Sequence, residues 1–458
     1  TIAWLRTQPW CNGRIAMTGA SYCGYVQIYA ALENPEGLCA ITPGVFGNDG
    51  FRNIMRRNGI PQISLIVWAL YNATGRVAKS LLVDWKKELF DLPLTTLAQR
   101  CGLRDNLVDE WLRHNCDDEF WYGMGRLEQL DRLSTPALLT GGWYDLYATA
   151  IVDTFLYLSA CPHLQGRIKL LIGPWVHGLG AREAGQIDFG PAAELDITRE
   201  NRRWIDRWCK NDQQDPDLPA VRYFMMGTNE WRETECWPPP GITWQSWLPG
   251  CDTAANSLDG DGRLARRHGR AVADHYLYDP ADPVTNLGGN LLGFGEDMPA
   301  GPCDQRPMER RPDVLVYTGP VLRKPLEIVG QPEVELFVST DAPDTDFVVR
   351  LCDVHPDGRS INITTGVVRT RYRHGFDREV MLAPGEVVKL VIKMDVTANC
   401  FLPGHRLRLE VASSCFPQFA RNHNTGGDCV SETEFRLAAQ TVWHSEQYPS
   451  RLRLPVLI

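Results

Sequence analysis

Three residues in this chain have the types and the surroundings that acyl-transfer chemistry needs. Ser21 stands in Gly19-Ala20-Ser21-Tyr22-Cys23-Gly24, a Gly-x-Ser motif whose closing glycine comes one residue later than in Gly-x-Ser-x-Gly. Asp145 follows Gly141-Gly142-Trp143-Tyr144, and His177 follows Gly173-Pro174-Trp175-Val176. A serine hydroxyl is a weak nucleophile until a base takes its proton, and an imidazole can take and return one near neutrality. A carboxylate then fixes the imidazole tautomer and stabilises the imidazolium. Serine, acid, histidine is also the chain order of α/β-hydrolases. The helix expected after Ser21 aims its amide N–H groups and its dipole at the same spot, where an oxyanion could form.

For these residues to meet, each must stand at the carboxyl end of a strand in one parallel sheet, where open α/β sheets bind ligands. The sequence predicts this arrangement. Residues 14–18 read as a short buried strand, 25–32 as a helix stopped at Asn34-Pro35, and 38–43 as the next strand. Apolar strands also lead into Asp145 (136–140) and His177 (168–172), with helices expected over 147–158 and 197–209. Between the two halves of the sheet, residues 60–73, 76–90 and 95–113 read as amphipathic helices rich in aromatics, a cap lying over the sheet. Beyond about residue 211 the pattern turns to β: 221–226, 314–317, 333–338, 347–352, 387–392 and 407–411, separated by Gly and Pro turns. A β-sandwich of jelly-roll type is expected there. The expected division is 1–50 and 127–212 for the α/β core, 51–126 for the cap and 213–458 for the sandwich.

Composition narrows the function classes. A chain of 458 residues with 44 % apolar and 22 % charged residues has room for two or three globular cores. Its formal charge of −9 and lack of a basic block exclude nucleic acid as the natural partner. No apolar run reaches 18 residues, so no membrane span is expected. The fourteen cysteines form no Cys-x-x-Cys pair, which argues for reduced thiols, a cytoplasmic setting and no metal or other cofactor at the site. Cys23 is expected to be a packed thiol. The aromatic residues nearest the motifs, Trp143, Tyr144 and Trp175, together with Trp68 of the cap, are the expected substrate-pocket walls.

Taken together, these blocks resemble the cocaine esterase and X-prolyl dipeptidyl peptidase family of serine hydrolases. The similarity continues in Asp279-Pro280-Ala281-Asp282-Pro283-Val284, Asp304-Gln305-Arg306, the run 341–347 (Asp341, Asp344, Asp346) and Gly404-His405-Arg406-Leu407-Arg408, so that it spans nearly the whole chain. It implies an α/β-hydrolase core, a helical cap and a jelly roll packed beside the site, with Ser21 as nucleophile, Asp145 as acid and His177 as base. It also implies two oxyanion donors, the backbone amide of Tyr22 and a tyrosine hydroxyl well upstream of the nucleophile. Only twenty residues precede Ser21 here. A sheet beginning at the elbow strand leaves that strand as an edge. The expectation is therefore an N-terminally incomplete hydrolase sheet, in a truncated chain, a homo-oligomer or a chain completed by another segment. Loss of one oxyanion donor costs on the order of 10²–10³ in kcat.

Family members act on esters, β-lactam acyl groups, α-amino acid esters and X-Pro peptides. No extra carboxylate follows Asp145 to hold an α-ammonium group, since Leu146, Tyr147 and Ala148 stand there. An ester or amide with an apolar acyl group is the expected substrate. The competing readings are X-Pro dipeptidyl peptidase or β-lactam acylase activity, or a truncated, catalytically silent hydrolase acting as a binding or structural protein. Three further signals are expected to be structural. Asp259-Gly260-Asp261-Gly262 reads as a turn, because Arg270 occupies the closing position of a calcium loop. Asp341, Asp344 and Asp346 read as loop caps, and His405 and Arg406 as part of a sandwich strand.

Overall fold

The computed structural model describes residues 1–73, 83–103, 107–210, 218–267, 269–295 and 298–458. Its first sheet starts at the elbow strand. β1 (Ile15–Ala20), β2 (Leu38–Gly44), β3 (Ala137–Gly142), β4 (Ile168–Gly173) and β5 (Val221–Met225) lie side by side in parallel, and β6 (Glu230–Thr234) closes the row antiparallel. β1 is the terminal strand, bonded along one side among the described residues. The register aligns the strand ends. Ala20 pairs with Gly44, Gly44 with Thr140, and Gly142 with Gly173, so the chain leaves β1, β3 and β4 at one edge of the sheet.

The near-continuous apolar runs of β3 and β4 follow from burial on both faces. Every residue of both strands is buried. Ile41, Leu139, Leu170 and Ile172 face one layer with α1 (Tyr22–Leu32) and α2 (Ala148–Ala160), represented by Ile28, Ala31, Ile151 and Phe155. Their alternates Ala40, Leu138 and Leu171 face the other layer and pack on Trp204 of α3 (Ile197–Cys209). Each fully buried Leu or Ile contributes about 1.5–3 kcal/mol of transfer free energy. No helix among the described residues is long and apolar enough to cross a membrane.

The structure corrects the division drawn from the sequence. Val221–Met225 reads as a sandwich strand, yet it is β5, parallel to β4, and β6 hairpins onto it. α3 is the crossover helix between β4 and β5, so the strand that follows it returns to the parallel sheet instead of opening the sandwich. The boundary expected at 212/213 lies outside the described residues. The cap is helical but more broken than its periodicity predicts. Ile63–Ala73 and Leu107–Arg113 are helices, and between them stand single turns at Trp85–Glu88 and Leu97–Arg100. Parts of the expected helices 76–90 and 95–113 lie outside the described residues. The cap has its own core, in which Ile66, Leu70, Trp85, Leu97 and Leu112 pack with Leu291, Phe416 and Val430 from the C-terminal half. Cap and sandwich therefore share buried surface.

From Ile242 onward the chain forms a 13-stranded β network folded into a sandwich, antiparallel except where Arg263–Ala265 pairs in parallel with Leu315–Thr318. Ile242–Gly250 pairs with Arg451–Leu457 through its first residues and with Arg263–Ala265 through its last, so it passes between layers. Asp346–Val354 is buried at all nine positions, flanked by Ser360–Arg369 and Arg406–Ala412. Phe347, Val349 and Leu351 enter the apolar core. Polar groups on the same strand are paired: Asp346 with Arg369, and Arg350 with Glu410 at 2.7 Å. Asp344 pairs with Arg371 and accepts the Thr370 hydroxyl and the Arg371 amide. These aspartates thus combine capping with buried ion pairing. The Asp261 carboxylate accepts the amides of Asp252, Thr253 and Ala254, as a turn cap does.

Candidate active site

Ser21 links β1 directly to α1, whose first residue is Tyr22 rather than Tyr25. The turn is tight enough to hold Ser21 at φ 59°, ψ −128°, a conformation that L-residues rarely adopt. Its amide donates to the Gly44 carbonyl of β2 at 2.9 Å, which pins the elbow to the neighbouring strand. The late glycine of the motif has a steric reason. A Cβ on Gly24 would meet that same Gly44 carbonyl oxygen at 2.7 Å, so α1 can lie against β2 only with glycine there. The amide of Tyr22 is the first of the helix and has no carbonyl four residues back within it.

Asp145 and His177 are brought together by backbone bonds between the loops that leave β3 and β4. The Trp143 amide donates to the Gly173 carbonyl at 2.8 Å and the Tyr144 amide to the Trp175 carbonyl at 3.0 Å. Gly142 allows this approach, since a Cβ there would stand 2.3 Å from the Trp175 carbonyl oxygen. The result is a continuous relay. His177 Nε2 lies 2.9 Å from Ser21 Oγ, and His177 Nδ1 lies 2.6 Å from Asp145 Oδ2. Asp145 is fully buried, and its other oxygen accepts the Tyr147 amide at 2.8 Å. Burial pushes the His177 pKa down, but the charge and hydrogen bond of Asp145 outweigh it and leave the pKa above its ordinary value.

A cavity of about 580 Å³ opens over Ser21 and His177, within the usual range for small-molecule sites. Tyr22, Met55, Leu65, Trp68 and Trp111 line it, and Leu292 reaches it from the C-terminal half. No carboxylate lines it among the described residues. Trp68 is therefore at the cavity, 6.4 Å from the Tyr22 ring between centroids. Trp143, Tyr144 and Trp175 are not, which corrects the pocket read from the sequence. All three side chains are buried in the core, with polar atoms committed to the carbonyls of Phe224 (2.8 Å), Asn362 (3.1 Å) and Ala193 (2.9 Å). Side chains next to a motif in sequence point into the sheet as readily as out of it. Cys23 is another correction. It is exposed in the first turn of α1, and all fourteen cysteines are unpaired thiols.

Two supports have no local sequence signal. Asn290 Nδ2 donates to the carbonyls of Trp143 (2.7 Å) and Asp145 (3.2 Å). Arg57 Nη2 donates to the Leu146 carbonyl at 2.7 Å, and its guanidinium pairs with Asp395, which also accepts the Thr149 hydroxyl. Both supports reach across more than 85 residues of chain.

A strand–serine–helix elbow, with an acid and a histidine beyond later strands of one parallel sheet, defines an α/β-hydrolase fold carrying a β-sandwich. The profile of the X-Pro dipeptidyl-peptidase (S15) family matches residues 1–179, and that of the X-Pro dipeptidyl-peptidase C-terminal non-catalytic domain matches residues 216–453. The chain is 36 % identical to cocaine esterase of Rhodococcus sp. (strain MB1 Bresler), an alignment covering all of this chain and 83 % of that one. An aminopeptidase from a marine sediment Thaumarchaeota archaeon has the same fold, with a TM-score of 0.84, 26 % identity and coverage of 100 % and 79 % of the two chains. An α-amino acid ester hydrolase superposes with a TM-score of 0.84 at 24 % identity, covering 99 % and 79 %. The chain belongs to the cocaine esterase and X-Pro dipeptidyl-peptidase family, and it is a hydrolase.

Proposed function

We propose that this chain hydrolyses esters of apolar acyl groups through an acyl-enzyme on Ser21. The hydrogen-bonded relay from Ser21 through His177 to Asp145, at the floor of an apolar cavity, supports the reading most directly. Ser21 Oγ attacks the substrate carbonyl carbon while His177 Nε2 takes the hydroxyl proton. Asp145 holds the imidazole with Nε2 toward serine and stabilises the imidazolium. The tetrahedral oxyanion faces the Tyr22 amide. Collapse breaks the ester C–O bond, and His177 returns the proton to the departing alkoxide. Water, deprotonated by His177, then attacks the acyl carbonyl, and Ser21 leaves with the proton.

The cavity supports the choice of substrate. Its aromatic and aliphatic walls desolvate an apolar acyl group, and among the described residues no lining carboxylate offers a counter-charge to an α-ammonium group. A fluorophosphonate probe tests the reading. Ser21 should be labelled in the wild-type chain and unlabelled in His177→Ala, and Ser21→Ala should abolish aryl-ester turnover with little change in Tm. Wild-type-like turnover in Ser21→Ala, or an intact, folded chain that takes no label, overturns it.

A further inference from the structure

The sandwich carries a second constellation of chemically competent side chains, separate from the relay. In the antiparallel ladder between Asp346–Val354 and Arg406–Ala412, Asp353 pairs with Leu407 and Val354 with Arg406. Extending that register by one residue sets His355 opposite His405. Directly opposed residues project to the same face of a sheet, and so do residues two apart on one strand. Asp353, His355 and His405 therefore share a face by construction. The imidazole rings stand 4.5 Å apart between centroids. Asp353 Oδ1 lies 2.8 Å from His405 Nδ1, and Oδ2 lies 4.0 Å from His355 Nε2.

We infer that Asp353, His355 and His405 bind one divalent transition-metal ion of the zinc class. Two imidazole nitrogens and one carboxylate oxygen are the donor set that such ions prefer, with the fourth position left to water. One donor atom from each residue lies within 4.8 Å of the others. Zinc bound at about 2.0–2.2 Å from each donor needs them roughly 3.3 Å apart, so side-chain rotation of about an ångström closes the site. The backbone already holds both histidines. The His355 amide donates to the Arg359 carbonyl, and its own carbonyl accepts the Gly358 amide, both at 2.9 Å. The His405 amide donates to Leu402 and its carbonyl accepts the Leu322 amide.

Burial also fits a metal. Asp353 and His405 are nearly enclosed, whereas the His355 side chain keeps about a quarter of its surface exposed, which gives an ion a route in. Among the described residues the His355 ring makes no hydrogen bond, so its nitrogen lone pair is not already committed to a protein donor. The bound ion would tie the 355–359 turn to the turn before Arg406 and displace a proton from the His405–Asp353 hydrogen bond.

The test uses the full chain after dialysis against chelator. Calorimetric titration with Zn²⁺ should show one site per chain, and Co²⁺ should give a visible d–d band without the near-ultraviolet thiolate charge-transfer band that cysteine ligation produces. His355→Ala, at the exposed corner, should stay folded by circular dichroism and bind Zn²⁺ more than about tenfold more weakly, since even a change beyond the ligands costs 10–100-fold. Asp353→Asn should do the same, and His177→Ala should bind as the wild type does. Absence of stoichiometric binding, a thiolate band, or unchanged affinity in folded His355→Ala each overturns the proposal.

Discussion

The Asn290 side-chain amide donates to the Asp145 carbonyl oxygen at 3.2 Å, so a residue from the C-terminal half holds the backbone of the candidate acid. It holds the Trp143 carbonyl as well, at 2.7 Å. Both oxygens belong to the loop that leaves β3, which must keep Asp145 within 2.6 Å of His177.

Replacing Asn290 with Leu leaves the Trp143 carbonyl without its donor, while the Asp145 carbonyl keeps the Ala148 amide at 3.1 Å. A buried carbonyl left unsatisfied costs about 1–3 kcal/mol. Urea denaturation should show a loss of that order, with a larger fall in kcat than in affinity for a substrate analogue. An unchanged kcat in a destabilised variant would limit Asn290 to a structural role.

In the proposed mechanism the raised pKa of His177 sets the pH dependence of turnover. The base acts when neutral, so kcat/KM should rise with pH through an apparent pKa above 6.5. Asp145→Asn removes the charge that lifts it, and the residual rate should rise through a lower pKa. A pH–rate profile of the two proteins checks this. The stability sign follows from the same shift. A folded-state pKa above the unfolded value stabilises the fold below the unfolded pKa, and that contribution is lost as pH rises through the folded one. His177→Ala should therefore cost more stability at about pH 5 than at about pH 9.

Ser21 keeps φ 59°, ψ −128° at a cost on the order of 1–3 kcal/mol. Glycine adopts that conformation without a Cβ clash, against an entropic penalty of about 0.5–1 kcal/mol. Ser21→Gly should thus be more stable than Ser21→Ala by about 1 kcal/mol, measured by thermal or denaturant unfolding. Equal stability would show that the surroundings relax around the alanine.

Much of this protein is legible in its sequence because the decisive signals are local. Gly19-Ala20-Ser21 after an apolar run predicts the elbow, and the apolar runs that become β3 and β4, each ending in glycine, predict where Asp145 and His177 emerge. Periodicity 2 and 3.6 separates sandwich from cap for the same reason: it reports which face of one element is buried. What the sequence left open depends on contacts between distant segments. Trp143, Tyr144 and Trp175 look like pocket walls until the sheet, the loops and the sandwich close over them, and only then is their indole or phenol committed to a core carbonyl. β5 joins the parallel sheet because Leu170, Leu171 and Ile172 offer it a free edge, a fact no periodicity carries. Arg57 and Asp395 meet across 338 residues, and His355 faces His405 only through the register of two strands. Residue type and local spacing set the chemistry that is possible; backbone pairing in three dimensions decides which side chains share it.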